Sequence, residues 1–357
     1  MDKKRYVAYA VVAAILAALI YMQFRTWKDF DWPTFWSQWK QLSPRHIVQA
    51  IALIYLHYFL RALRWKIFLR PVRSEVSAIR LISPTLIGFT GMALLGRPGE
   101  LIRPYLIARR TNLTFSSQMA AWAVERIFDI CAFTVLLVFA IFLPGTALHF
   151  LPPDVYHGVE IFGLLFLVLA VAISVGAVLV AKFGEAVSTW VERRFSHLAA
   201  NLGHRIAQKV REFHSGLDTI HDALAFFEIV GVSLGIWSCI ALAYLEVTHA
   251  YGSVLQQMTI SKILPLIGSS MVGSLIQLPG IGGGSQLGTI SALQHIFRVQ
   301  QELAASCGIT LWLVTFVAVV PGGLLLAHRE RLSLRKLSEE SVQEEARTEL
   351  APSPPAA

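Results

Sequence analysis

The sequence predicts an all-α fold: a polytopic bundle of membrane-spanning helices. Long apolar runs, a deficit of charge and a patterned placement of basic residues lead to it. Of 357 residues 55% are hydrophobic and 15% charged, whereas soluble domains carry about 25% charged residues. The mean hydropathy is +0.57. A run of about 18 apolar residues can cross a hydrocarbon core roughly 30 Å thick as a helix. Such runs occur at 6–23, 46–63, 118–143, 159–181, 224–248 and 305–327, too many for a water-soluble core to hide. Six full spans are therefore expected, with two further apolar stretches that are broken.

In chain order, Lys3-Lys4-Arg5 and the apolar stretch to Met22 look like a signal peptide, but Gln23-Phe24-Arg25-Thr26-Trp27 offers no small-residue cleavage pattern. A retained first helix is expected. The loop that follows carries Trp27, Trp32, Trp36 and Trp39, which suits a short helix at the membrane interface. Between the fourth and fifth spans, Val187, Trp190, Val191, Phe195, Leu198, Leu202, Ile206, Val210, Phe213, Leu217 and Ile220 recur mostly at spacings of three and four. This predicts an amphipathic helical loop over 187–220 within a transmembrane domain of residues 1–336. Residues 337–357, rich in Glu, Pro and Ala, are expected to form a disordered polar tail.

The formal net charge of +8 does not point to nucleic acid, because the basic residues follow the spans. Lys66, Arg70, Arg73, Arg80, Arg97, Arg103, Arg109 and Arg110 come after the second span, and Lys182, Arg193, Arg194, Arg205, Lys209 and Arg211 after the fourth. Arg329, Arg331, Arg335 and Lys336 follow the sixth, while 144–158 and 249–261 hold neither Lys nor Arg. The positive-inside rule then puts both termini in the cytoplasm of a multi-pass plasma (inner) membrane protein, with Arg25, Lys28 and Lys40 in the first outer loop as the one departure. Cys131, Cys239 and Cys307 lie in apolar segments without metal or disulfide spacing, and no cofactor or metal is expected.

The two broken stretches echo each other. One runs from Ser83-Pro84-Thr85-Leu86-Ile87-Gly88 to Gly96-Arg97-Pro98-Gly99-Glu100; the other runs from Leu264-Pro265-Leu266-Ile267-Gly268 to Leu278-Pro279-Gly280-Ile281-Gly282-Gly283-Gly284. Each reaches a Pro-Gly at the same offset from its first proline. Pro removes a backbone donor and Gly permits a break, and the freed backbone groups must be buried or line a wet cavity. Hairpins that enter and leave on one side fit both, in opposite orientation, as in an inverted-repeat transporter with its site between the broken segments. If they cross fully, the count becomes eight or more spans.

Ionisable groups inside a membrane cost about 2.5–3.5 kcal/mol each on insertion scales and point to function. Glu125, Arg126 and Asp129 lie within the third span, Glu125 and Asp129 sharing one helix face. Arg61, Arg64, Arg97 and Arg103 are the candidate partners. His57 shares a face with Arg61 and Arg64, and Glu246 and His249 lie toward the outer end of the fifth span. For the clusters of the second and third spans a structural salt-bridge network or direct contact with a substrate accounts equally well, whereas Glu246 reads as structural or interfacial. Gly282-Gly283-Gly284 beside a helix N-terminus could favour an anionic headgroup. No nucleophile elbow, Walker loop, metal spacing or dinucleotide fingerprint appears in a usable context, so a transporter is expected rather than an enzyme.

Gly96-Arg97-Pro98-Gly99-Glu100-Leu101-Ile102-Arg103 resembles the Gly-Arg-x-Gly-Glu-x-x-Arg motif of the lysylphosphatidylglycerol synthase transmembrane-region family, also called the flippase-like domain family. Glu125-Arg126-x-x-Asp129 is similar to its second motif, and Pro279-Gly280-Ile281-Gly282 to its third; Gln286 stands where many members carry Glu. The likeness covers roughly residues 5–330. It implies a polytopic flippase that moves a polar or anionic lipid between leaflets: an aminoacylated phospholipid, or an isoprenoid-linked or hopanoid-type lipid. The fused aminoacyl-transferase domain of the synthases is not expected after Lys336. In the site that the resemblance implies, Arg97, Arg103 and Arg126 meet phosphate. Glu100, Glu125 and Asp129 position those arginines or contact a cationic headgroup, with Arg61, Arg64, Pro279, Gly280, Gly282, Gly283, Gly284 and Gln286 completing it. The partners expected are the lipid and a separate lipid-synthesising enzyme, and an oligomer is compatible with the sequence. The alternatives are a membrane-embedded transferase with Glu125 or Asp129 as general base, and an accessory subunit of a lipid synthase.

Overall fold

The computed structural model describes residues 30–143, 146, 148, 151–195, 223–252, 254–275 and 283–350. The expected span at 6–23 and most of the amphipathic loop lie outside them. Every regular element among the described residues is helical.

The short helix α1 (Trp32–Lys40) starts on an Asp31 cap whose carboxylate accepts from the Thr34 N–H at 3.2 Å. It leaves Trp32 and Trp36 half-exposed. It also docks inward: Phe35 is buried beside Ala305 and Ile309, and Trp39 donates to Thr310 Oγ1 at 2.7 Å.

Helix α2 (Pro44–Leu69) buries Ala50, Ile54, His57, Tyr58, Arg61, Arg64, Trp65 and Phe68. The spacing of three and four makes one stripe along 26 residues, and the two arginines sit on its buried side. Helix α3 (Ala78–Leu95) runs through Pro84 and stops where Gly96 takes φ +70°, a conformation only glycine adopts easily. A 3-10 turn (Arg97–Leu101) with Pro98 in its first positions reverses the chain into α4 (Ile102–Thr111). A Cβ on Gly99 would collide with the Gly91 carbonyl, and one on Gly88 with Arg103. The two limbs therefore form a closely packed helical hairpin. Its first limb, 18 residues and apolar, is by itself long enough to cross a membrane.

The third expected span is α5 (Phe115–Phe142), started by a Thr114 cap that accepts from Ser117 N. Helix α6 (Pro153–Phe195) covers the fourth and kinks at Phe183; α7 (Ala223–His249) is the fifth. A 3-10 turn at Val254–Gln257 leads into α8 (Ile260–Gly273), which runs through Pro265, and α9 (Gly284–His295) packs back on it. A Cβ on Gly273 would strike the Gly284 carbonyl, so the two limbs of the second broken stretch also pack as a hairpin; Pro279 and Gly280 lie outside the described residues.

The last span is not one regular helix. Helix α10 (Gln301–Trp312) passes through a π-turn (Leu313–Val317) into α11 (Val319–Arg329). There Ala318 N bonds Leu313 O at 2.8 Å, a reach of five residues. Pro321, four residues beyond Val317, has no N–H to give the Val317 carbonyl. The neighbouring carbonyls take side-chain donors instead: Tyr55 Oη bonds Ala318 O at 2.9 Å and Thr90 Oγ1 bonds Val319 O at 3.2 Å.

Among the described residues five helices are long and apolar enough to cross a membrane: Pro44–Leu69, Ala78–Leu95, Pro153–Val180, Ala223–His249 and Gln301–Arg329. Phe115–Phe142 is as long at 28 residues and carries the ionic groups. One apolar core joins α2, α5, α7, α8, α9 and α10.

The expected disordered tail differs from the structure over 337–350, while 351–357 lie outside the described residues. Residues Leu334–Leu350 form a helix, α12. Composition obscured a short apolar stripe: Leu337 is buried among Ile87, Ile102, Leu106 and Ala327, and Ser341 is buried too. Glu340 accepts from Tyr105 Oη at 2.9 Å and lies 3.5 Å from Arg109, so the helix is tied to the first hairpin.

Candidate functional site

The ionic residues of α2, α4 and α5 converge on one another. Glu125, on the buried face of α5, is fully inaccessible. Its Oε1 accepts from Arg61 Nη1 at 2.9 Å, Arg64 Nη2 at 2.6 Å and Arg103 Nη1 at 3.1 Å. Its Oε2 accepts from Trp65 Nε1 at 2.7 Å and Arg103 Nη2 at 2.5 Å. One turn on, Asp129 accepts from Arg64 Nη1 at 2.8 Å and Arg61 Nη1 at 3.2 Å. Arg126 Nη2 lies 3.4 Å from Asp129 and 3.6 Å from Glu125. A carboxylate in hydrocarbon survives only when paired and hydrogen-bonded, and both of these are.

Four guanidinium groups face two carboxylates, so the cluster holds two positive charges in excess. Aromatic faces absorb part of it: Arg103 lies 5.0 Å from the Trp65 ring centre, Arg61 5.2 Å from Phe89 and Arg126 5.7 Å from Trp122. Buried donors remain unused, namely the Nε atoms of Arg61, Arg64 and Arg126.

The excess charge borders a cavity of about 220 Å³. Arg61, Arg103, Arg126 and Glu100 stand on its wall, with His57, Tyr58, Phe89 and Trp122 around them. The second hairpin closes another side with Ile267, Ser270, Met271, Ser274 and Ser285; α7 contributes Trp237, Ile240 and Tyr244, and the π-turn Thr315 and Phe316. The cavity thus lies between the two hairpins, walled by both.

The expected residues divide by position. Arg61, Glu100, Arg103 and Arg126 reach the cavity. Glu125 and Asp129 sit behind those arginines, and Arg64, fully buried, ties both carboxylates to Ser233 Oγ at 2.9 Å. The Arg97 side chain and Pro279, Gly280 and Gly282 lie outside the described residues. Gly283, at φ +52°, and Gly284 start α9. Gln286 lines a narrow crevice that shares Tyr244, Ser270, Ser285 and Thr315 with the cavity. Sequence reasoning missed Trp65, Trp237, Tyr244, Ser270 and Thr315. Trp65 lay on the Arg61 face, four residues on, and Pro321-Gly322-Gly323 was a third Pro-Gly break that signalled the π-turn.

The family described as lysylphosphatidylglycerol synthase TM region matches residues 7–323. A UPF0104 membrane protein of Methanothermobacter thermautotrophicus is 23% identical over 294 residues, covering 78% of this chain and 83% of that protein. The glycosyltransferase AglD of Haloferax volcanii is 34% identical over 86 residues, 24% of this chain and 14% of that protein. No solved structure matches the chain.

Proposed function

The chain belongs to the lysylphosphatidylglycerol synthase TM region family, and from that premise we propose that it is a flippase carrying a lipid with an anionic headgroup between leaflets. The supporting observation is the cavity between the two hairpins, whose wall carries Arg61, Arg103 and Arg126 beside a cluster with two excess positive charges. The barrier to flipping is the transfer of a charged headgroup through hydrocarbon. Guanidinium groups held in place by Glu125 and Asp129 offer a phosphate charge-assisted bonds that replace its water, while the acyl or isoprenoid tails stay in lipid.

In this reading the hairpins dip from opposite faces, both termini are cytoplasmic and α1 lies on the outer interface. A lipid-modifying transferase is the weaker reading. Its general base would be Glu125 or Asp129, and each already accepts hydrogen bonds from two or more donors.

Reconstitution into liposomes tests the proposal. With acyl-labelled phosphatidylglycerol in both leaflets, a membrane-impermeant reductant bleaches about half the label in protein-free vesicles; the protein should carry bleaching well beyond that half. Bleaching that stops at half with folded protein present, for phosphatidylglycerol and a panel of other anionic lipids, would rule the flippase out.

A further inference from the structure

Among the described residues His57 brings the one imidazole to the cavity wall, and the ion cluster does not use it. Its Nδ1 lies 2.6 Å from the Ile54 carbonyl on the same helix. A carbonyl only accepts, so in the neutral ring the proton sits on Nδ1 and Nε2 carries a lone pair. Nε2 has no hydrogen-bond partner among the described residues, but it is not sealed as the Nε atoms of Arg61 and Arg64 are. His57 is buried except where it borders the cavity, so the lone pair opens there.

The ring stands beside the place of a bound anion. The centre of the Phe89 ring is 6.4 Å from that of His57, and 5.2 Å from the guanidinium carbon of both Arg61 and Arg103. A phosphate held by those arginines therefore shares its end of the cavity with Nε2. Tyr58, its ring centre 4.1 Å from the imidazole, packs against it.

Charge and lone pairs then set a requirement. Around His57, α2 places Tyr58, Arg61 and Arg64, and the first hairpin Glu100 and Arg103. Helix α5 adds Glu125, Arg126 and Asp129, and α7 adds Tyr244; the second hairpin and the π-turn bring no titratable group to the wall. Four guanidinium groups against three carboxylates leave one positive charge in excess, even with Glu100 counted. In the empty cavity a proton on His57 would add like charge to like. An anionic headgroup cancels that excess and presents oxygens that only accept. Two acceptors bond only through a proton between them.

We propose that His57 takes up a proton whenever an anionic headgroup enters, so that lipid and proton cross the membrane together. The proton comes from water on the side to which the cavity opens and leaves with the lipid on the other. This rests on the flippase reading and adds its driving force: a pH difference moves lipid away from the acidic side.

The test is binding of short-chain phosphatidylglycerol to the purified protein in detergent across about pH 6 to 8, where imidazole titrates and the phosphodiester does not. Linkage to one proton should weaken binding by up to about tenfold for each unit of rising pH, with protons taken up from weakly buffered solution. His57→Gln, whose amide N–H can meet phosphate directly, should lose both the slope and the uptake. Glu100→Gln, whatever its affinity, should keep the wild-type slope. In proteoliposomes an imposed pH difference should shift labelled lipid away from the acidic leaflet, beyond the shift in protein-free vesicles, and His57→Gln should abolish that excess. Wild-type binding without pH dependence or proton uptake would overturn the proposal while the flippase stands. A slope that survives in folded His57→Gln, or vanishes in Glu100→Gln, would overturn it too. Should His57→Gln fail to fold, proton uptake by the wild type and by Glu100→Gln decides. A wild type that neither binds nor moves any anionic lipid would remove the flippase reading and this one together.

Discussion

Arg103 grips both oxygens of Glu125, through Nη1 at 3.1 Å and Nη2 at 2.5 Å. The pair joins the returning limb of the first hairpin to the middle of α5. Paired N–H donors on one carboxylate fix direction as well as distance, so Glu125 sets where the Arg103 guanidinium stands at the cavity wall. Trp65 Nε1 on Glu125 Oε2 holds the acid from the side of α2. The buried carboxylate is therefore a positioning group, one layer behind the surface a ligand would meet.

Glu125→Gln should be among the most damaging single changes. It removes the charge that three buried arginines share, and breaking a buried pair from one side costs about 3–5 kcal/mol. Thermal unfolding in detergent should show a large loss of stability, with Glu125→Asp intermediate. Unchanged stability in Glu125→Gln would mean that the arginines find other partners.

The first hairpin depends on contact between backbones. Gly99→Ala would drive a Cβ into the Gly91 carbonyl, and Gly273→Ala would do the same to Gly284 in the second hairpin. Overpacking of this kind costs about 1–3 kcal/mol. Each variant should unfold earlier than the wild type. Gly158→Ala, inside α6 where nothing lies within 4 Å, is the matched control and should hold stability or raise it slightly, as alanine favours a helix over glycine.

The ion cluster was legible because its cost is local. Glu125 and Asp129, four apart inside an apolar run, demand partners wherever the helix goes, and the stripe of α2 offered Arg61 and Arg64 on one face. The bends at Gly96 to Gly99 were legible for the same reason, since backbone chemistry there forbids a continuing helix. Trp65, Ser233 and Tyr244 were not, because a neutral donor on an apolar helix face gains its meaning from the element packed against it. Helix α12 was misread through composition: its one deeply buried apolar side chain, Leu337, is outnumbered by Glu and Arg around it.

Leu337→Ala tests that docked helix. The side chain is 2% exposed against Ile87, Ile102 and Leu106, and truncating a buried leucine costs about 2–5 kcal/mol. Here the loss should appear as local release, with limited proteolysis between residues 330 and 350 accelerating before the transmembrane core unfolds. Proteolysis at the wild-type rate would show that Leu337 does not hold the helix.

Arg126 separates transport from folding. Its side chain is 43% exposed and stands at the cavity wall, with its two acids at 3.4 and 3.6 Å rather than in tight bonds. An ion pair this open contributes about 0–1 kcal/mol, so Arg126→Ala should unfold close to the wild type. The same change removes one of the three guanidinium groups that line the cavity. Lipid transport in proteoliposomes should therefore fall several-fold, and Arg126→Lys should restore part of it, since a point charge still attracts phosphate without paired geometry. Wild-type transport by Arg126→Ala would take this residue out of the headgroup path, and a collapse of its thermal stability would make it a structural partner of Asp129.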